Sequence, residues 1–183
     1  DCPPQDTISH DGKGHPVAEG TGLTWCGFRP SDDACTYPFL IPSNLFAAHI
    51  LEVMAERFPE DETAIELTGP AKRYAETGAD LEAGPEKGDG FVPEEGGYSS
   101  GEFAARTLAD KPTLKDLKAQ ALQLAKEIKA GVEKVAIAQH PIYGDVYCYE
   151  TDGQGKQLLM DDANIPSLLS LPFLGVLPKD DER

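Results

Sequence analysis

Positive charge is scarce in this sequence: 16 Lys and Arg stand against 32 Asp and Glu, a formal net charge of -16 over 183 residues. Such a surface repels phosphate backbones and anionic lipid headgroups, which argues against nucleic acid or membrane partners. No apolar run approaches the roughly 18 residues of a membrane span. There is no C-x-x-C and no H-E-x-x-H, and His10, His15, His49 and His140 stand in dissimilar contexts, so neither a metal site nor a cofactor is expected. Only four cysteines occur, Cys2, Cys26, Cys35 and Cys148, too few and too unevenly spaced for a disulfide framework. Three pairings are open to them, and Cys26 with Cys35 is the nearest along the chain. The chain begins at Asp1 without a leader-like segment, as a processed protein or an excised piece does, and its acidity suits a secreted or secretory-pathway protein.

What remains is the composition of a globular protein, 40% hydrophobic and 26% charged, with enough length for one sizeable core. Residues 1–22, with Pro3, Pro4, Pro16 and several glycines, read as an irregular arm. Ser43 after Pro42 is a candidate N-cap. Phe46, Ile50, Val53 and Met54 follow it at helical spacing to about Phe58, where Pro59 ends the helix. Between about Asp61 and Pro112 clustered Gly, Pro and Glu replace periodicity, the mark of a long surface insertion. A second helix is predicted from Thr113, whose spacing to Asp116 resembles a capping box, with Leu114, Leu117, Ala121, Leu124, Ile128, Val132 and Val135 on one face. Beyond His140-Pro141, β-favouring residues around Asp152-Gly153 and Gly155 predict a short hairpin or twisted loop. The apolar stretch 163–177, broken by Pro166 and Pro172, predicts a short buried helix. The result is a mainly α layer of two or three helices and one hairpin, the helices antiparallel.

Two segments share a layout: SDDACTYPFLIPSN at 31–44 and MDDANIPSLL at 160–169. Each carries Asp-Asp-Ala followed by Ile-Pro-Ser, and the only two asparagines, Asn44 and Asn164, adjoin those triplets. Carboxylates set in apolar sequence need partners or shifted pKa values. One reading makes Asp32, Asp33, Asp161 and Asp162 caps of helix N-termini. The other gathers them in a pocket where one protonated carboxyl donates a proton and its neighbours grip a polyhydroxylated ligand. Arg29 is placed to hold one aspartate as an anion. Trp25, near Phe28 and Tyr37, suits either a sugar platform or a core position. Asp145, Glu150 and Asp152 lack the alternating pattern of a calcium loop.

The segments GLTWCGFRPSDDACTYPFLIPSNLFA at 22–47 and KEIKAGVEKVAIAQHPIYGDVYCYETDGQGKQLLMDDANIPSLLSLPFLG at 126–175 resemble glycoside hydrolase family 125, exo-acting α-1,6-mannosidases that include fungal proteins described as meiotically up-regulated. The resemblance implies an (α/α)6 barrel and metal-independent, inverting hydrolysis of a terminal α-1,6-linked mannose on an N-glycan or mannan oligosaccharide. It places the general acid at Asp32 or Asp33, and sugar contacts at Arg29, Asn44, Glu150, Asp161, Asp162 and Asn164, to which the residue reading adds Trp25 as a platform. It also implies that residues 1–183 are the central part of a longer catalytic domain. The flanking parts of the barrel and the second carboxylate, which acts as base, then lie outside this chain. A non-catalytic carbohydrate-binding or structural piece is the alternative.

Overall fold

The computed structural model describes residues 7–58, 113–181 and 183. The chain divides into two compact units, Asp1–Arg57 with Ala119–Arg183, and Phe58–Lys118. The region expected to be an insertion, 61–112, lies outside the described residues.

In chain order the elements are β1 (Phe39–Leu40), α1 (Ile41–Arg57), α2 (Leu114–Val135), β2 (Ile137–His140), β3 (Gly144–Tyr147), β4 (Glu150–Thr151), β5 (Gln157–Leu158) and a 3-10 turn at Leu168–Ser170. Helix α1 grows directly out of β1. It starts two residues before the expected Ser43 cap, with Pro42 in the first turn, where a missing N–H costs nothing. Its buried face runs through Ile41, Asn44, Leu45, Ala48 and Ala55, and the expected stripe of Ile50 and Met54 faces outward, Met54 being 46% exposed. Small residues decide this, because Ala48 lets α2 approach closely through Ala125 and Ile128.

Helix α2 begins with the reciprocal cap that the spacing predicts. The Thr113 amide donates to Asp116 Oδ2 at 2.9 Å and the Asp116 amide to Thr113 Oγ1 at 3.1 Å. The Thr113 amide and, at 2.7 Å, the Thr113 hydroxyl both donate to Asp116 Oδ2 and hold that carboxyl below its ordinary pKa. The buried set farther along is Ala125, Ile128, Gly131 and Val132, and Leu124, expected inside, is 45% exposed. A stripe spaced by alternating threes and fours drifts around a straight α-helix, so it cannot face one neighbour along its whole length.

Ile41 and Leu45 at the start of α1 share a core with Val132 at the end of α2 and with Ala136, and Ala48 meets Ala125 and Ile128 a turn or two earlier in α2. The helices are therefore antiparallel. Glu52 and Lys129 close an ion pair at 2.6 Å between them.

The strands form two small sheets. In the order β1-β4-β5 all neighbours are antiparallel, with Leu40 opposite Glu150 and Thr151 opposite Gln157. The turn after β4 is the one expected at Asp152-Gly153: Asp152 Oδ1 accepts the amides of Gln154 at 2.7 Å and Lys156 at 3.0 Å. Burial opposes the charge on Asp152, yet these donors and His15, 3.4 Å away, hold its carboxyl below the ordinary value. A second hairpin, β2-β3, pairs Ile137 with Tyr147 and was not visible in the sequence. Gln157 Nε2 ties β5 to the end of α2, donating to the carbonyls of Val135 and Ile137 at 3.0 Å.

The stretch expected to be a short buried helix is instead a single 3-10 turn followed by further turns, with Leu169 87% and Phe173 83% exposed and only Leu171 fully buried. Pro166 and Pro172 leave too few residues between them for an α-helix.

The N-terminal arm lies against α2. At Gly131 a Cβ would fall inside the van der Waals radius of the Thr21 carbonyl and 3.0 Å from Leu23 Cδ2. Gly131→Ala is expected to cost about 2–3 kcal/mol through overpacking, read as a lower urea midpoint with an unchanged slope.

Candidate active site

The loop Phe28–Ala34 is closed by two main-chain bonds, Arg29 N–H to the Asp33 carbonyl at 2.8 Å and Asp32 N–H to the Arg29 carbonyl at 3.0 Å, with Phe28 bridged to Ala34. A turn this tight puts Asp32 in the left-handed region, φ 67°, which aspartate tolerates better than most residues. Asp32 is exposed there.

Arg29 anchors the loop from beneath. Its Nε donates to Glu150 Oε1 at 2.6 Å, and its guanidinium reaches Thr36 Oγ1 at 3.3 Å and lies 5.9 Å from the centre of the Tyr149 ring. Glu150, completely buried on β4, uses its other oxygen to accept the amides of Thr36 at 2.9 Å and Tyr37 at 3.0 Å. The bond to Glu150 raises the Arg29 pKa further, so the guanidinium holds its charge.

Ser31 joins the two Asp-Asp-Ala segments. Its hydroxyl stands 3.3 Å from Asp33 Oδ2 and also serves Asp162. With one proton for two carboxylates, it donates to one at a time. Ser31, followed by the Asn164 amide at 2.9 Å, holds the Asp162 carboxyl below its ordinary pKa. Asn164 Nδ2 also donates to Asp162, at 3.3 Å. Asp161 is different: it accepts the amides of Leu168 at 2.8 Å and Leu169 at 3.0 Å and so caps the 3-10 turn.

Of the residues singled out in the sequence, the structure gathers Arg29, Asp33, Glu150 and Asp162 around Ser31 and Thr36, with Asn164 attached through Asp162. Asn44 is elsewhere. Buried in α1, it exchanges bonds with the backbone of Thr24 at 2.7 and 3.1 Å and donates to the Leu40 carbonyl at 2.9 Å, a set that stitches the arm to β1 and α1. Trp25, 44% exposed, packs its ring on Gly14 and Gly27 rather than in the core. Asp145 bonds Gln139 on the β2-β3 hairpin, away from Glu150 and Asp152, so the three acids do not converge.

Sequence reasoning missed Ser31, Thr36 and Tyr149. The signal was present in that all three lie inside or beside the quoted motifs. Tyr149 carries a buried hydroxyl with no hydrogen-bond partner among the described residues, and burial followed by the nearby Asp162 pushes its phenol pKa up. Beside the cluster, an open groove of about 510 Å³ is lined by Arg29, Asp33, Tyr37, His10, His15 and Lys156.

This loop, its buried ion pair and its carboxylates lie in a sequence that matches the metal-independent alpha-mannosidase family (GH125) over residues 1–95 and 99–183, and the chain belongs to that family. It is 30% identical over 176 residues to the Meiotically up-regulated gene 157 protein of Schizosaccharomyces pombe (strain 972 / ATCC 24843), covering 96% of this chain and 25% of that protein. It also superposes, with a TM-score of 0.63 and 34% identity, on a Streptococcus pneumoniae metal-independent alpha mannosidase solved as a non-productive substrate complex with alpha-1,6-mannobiose. That match covers 97% of this chain and 30% of the other. The chain thus spans less than a third of the length of either relative.

Two outcomes follow from the site's electrostatics. Glu150→Gln leaves the Arg29 charge largely enclosed without its counter-ion and is expected to cost about 3 kcal/mol in urea unfolding. Asp162, whose carboxyl is lowered in the fold, contributes stability above its unfolded value near 3.9, and loses that contribution as pH falls through the lower native value. Replacing it by Asn should therefore flatten the stability profile below about pH 4, measured by thermal unfolding across that range.

Proposed function

We propose that this chain supplies the acid-bearing part of an exo-α-1,6-mannosidase that removes terminal non-reducing mannose from an N-glycan or mannan oligosaccharide with inversion, within an (α/α)6 barrel to which α1 and α2 belong. The observation that carries the reading is Asp32, held in a strained backbone conformation at the apex of a loop that the Arg29–Glu150 pair fixes from below, in a chain whose family is that of alpha-mannosidases. Asp32 protonates the departing glycosidic oxygen. Asp33 is its neighbour on the groove side and the second choice for that role.

Asp162 and Asn164 accept and donate hydrogen bonds to sugar hydroxyls at the rim, and Trp25 offers an exposed ring face for a pyranose. Arg29 and Glu150 position the loop. Asp161 and Asn44 act through the backbone they cap and stitch. An inverting mechanism requires a second carboxylate roughly 6.5–9.5 Å from the acid to activate water on the opposite face of the ring. That base comes from a part of the protein outside this chain, so residues 1–183 alone do not turn over substrate. No metal or cofactor enters the reaction. A secreted or secretory-pathway location agrees with the acidity of the chain.

The test uses the full-length protein and α-1,6-mannobiose. Asp32→Asn is expected to lower kcat roughly a thousandfold with its melting temperature unchanged. NMR of the first product released by the unmodified enzyme should show the β-anomer of mannose. Normal turnover by Asp32→Asn would move the acid to Asp33. Binding of the disaccharide without any hydrolysis would instead favour a carbohydrate-binding role.

A further inference from the structure

The cysteines play no part in the proposed chemistry, yet two of them bracket the loop that carries it. Cys26 and Cys35 stand at the ends of the segment whose centre is Arg29–Asp33, on chain stretches running antiparallel. The Cys26 amide donates to the Pro38 carbonyl at 2.8 Å and the Cys35 amide to the Gly27 carbonyl at 2.9 Å, with the Phe28–Ala34 bridge just inside. Their side chains share one small cluster with Leu40 and Tyr149, Cys35 buried and Cys26 partly so. Both are thiols in this structure, as is Cys148, which is buried.

We infer that Cys26 and Cys35 form a reversible disulfide that closes the loop bearing Asp32 and Asp33 into a covalent ring. Cys26 is the reactive partner. It is the more accessible of the two; its thiol donates to the Phe28 carbonyl at 2.9 Å, and the hydrogen bond from Cys35 lowers its pKa, whereas that same bond and burial hold Cys35 protonated.

With a small disulfide such as oxidised glutathione as oxidant, the Cys26 thiolate attacks one sulfur, a Cys26–glutathione bond forms and one glutathione leaves as thiolate. Cys35 then gives its proton to water and attacks the Cys26 sulfur, expelling the second glutathione. The two cysteines lose two electrons between them. The oxidant gains both and ends as two thiols. The ring encloses Phe28–Ala34, so the bond restricts the loop in the unfolded chain and tightens it in the folded one. The link does not depend on which residue is the acid, whereas its effect on turnover rests on the function proposed above.

The full-length protein, reduced and then freed of reductant, is incubated with oxidised glutathione. Remaining thiols are alkylated in denaturant and the protein is cut on the amino side of aspartate. Cleavage before Asp32 and Asp33 separates the two cysteines, so a species joining both peptides, absent after dithiothreitol, identifies the bond whatever the activity. The expected result is that species, with Cys148 alkylated throughout, and a melting temperature raised by roughly 5 °C that dithiothreitol reverses and that Cys26→Ser does not show. Alkylation of both cysteines after oxidation, a stable glutathione adduct on either, or a bond from either to Cys2 would overturn the assignment. A joined species with no rise in melting temperature would overturn the bracing role. Since the mapping uses the unmodified sequence, a variant that fails to fold does not weaken it.

Discussion

Burying a guanidinium and a carboxylate together is favourable only if nearly every donor and acceptor is satisfied, and the bond between Arg29 and Glu150 meets that condition. Glu150 receives the Arg29 Nε–H on one oxygen and two main-chain amides on the other. Those amides belong to Thr36 and Tyr37, so one carboxylate fixes both the side chain at the start of the loop and the backbone at its end. The strand holding Glu150 is fixed in turn. Leu40 and Leu158 flank it, and the Tyr149 carbonyl accepts the first amide of α1 at 2.9 Å. The position of the exposed Asp32 side chain at the loop apex is therefore set by contacts reaching through two strands to the helix behind them.

The two Asp-Asp-Ala segments show how the same letters acquire different roles. In the second, Asp161 follows an extended stretch and precedes a 3-10 turn, and its carboxylate goes to that turn's unpaired amides. In the first, the loop closes back on itself through the Arg29–Asp33 and Asp32–Arg29 main-chain bonds, and the first amide of α1 goes to the Tyr149 carbonyl instead, so Asp32 stays exposed. Ser31 couples the segments, because a proton it gives to Asp33 is one it withholds from Asp162. Of the four aspartates, Asp161 takes the role of a cap, whereas Asp33 and Asp162 meet at the Ser31 hydroxyl.

Features that rest on short-range chemistry were legible in the sequence. Thr113 and Asp116 marked the start of α2, Asp152-Gly153 marked a turn, and α1 and α2 pack antiparallel as expected. Features decided by neighbours distant in sequence were not. The buried face of α1 is written in Ala48 and Ala55, which carry little hydrophobic signal and are chosen for closeness. The β2-β3 hairpin follows α2 after one residue, and its apolar positions continue the helical spacing, so nothing local announced the change. Glu150 was found within a motif, but its partner lies 121 residues away and no spacing rule connects them.

The contact of Gly131 with Thr21 bears on how such a chain can vary over evolutionary time. The arm, α1 and α2 are held in register by Thr21 on Gly131, Thr24 on Asn44 and Ala48 on Ala125. Exposed positions of α1 such as Ile50 and Met54 take no part in those pairings, so their side chains can change without moving the arm. A single methyl group at position 131 has no such latitude.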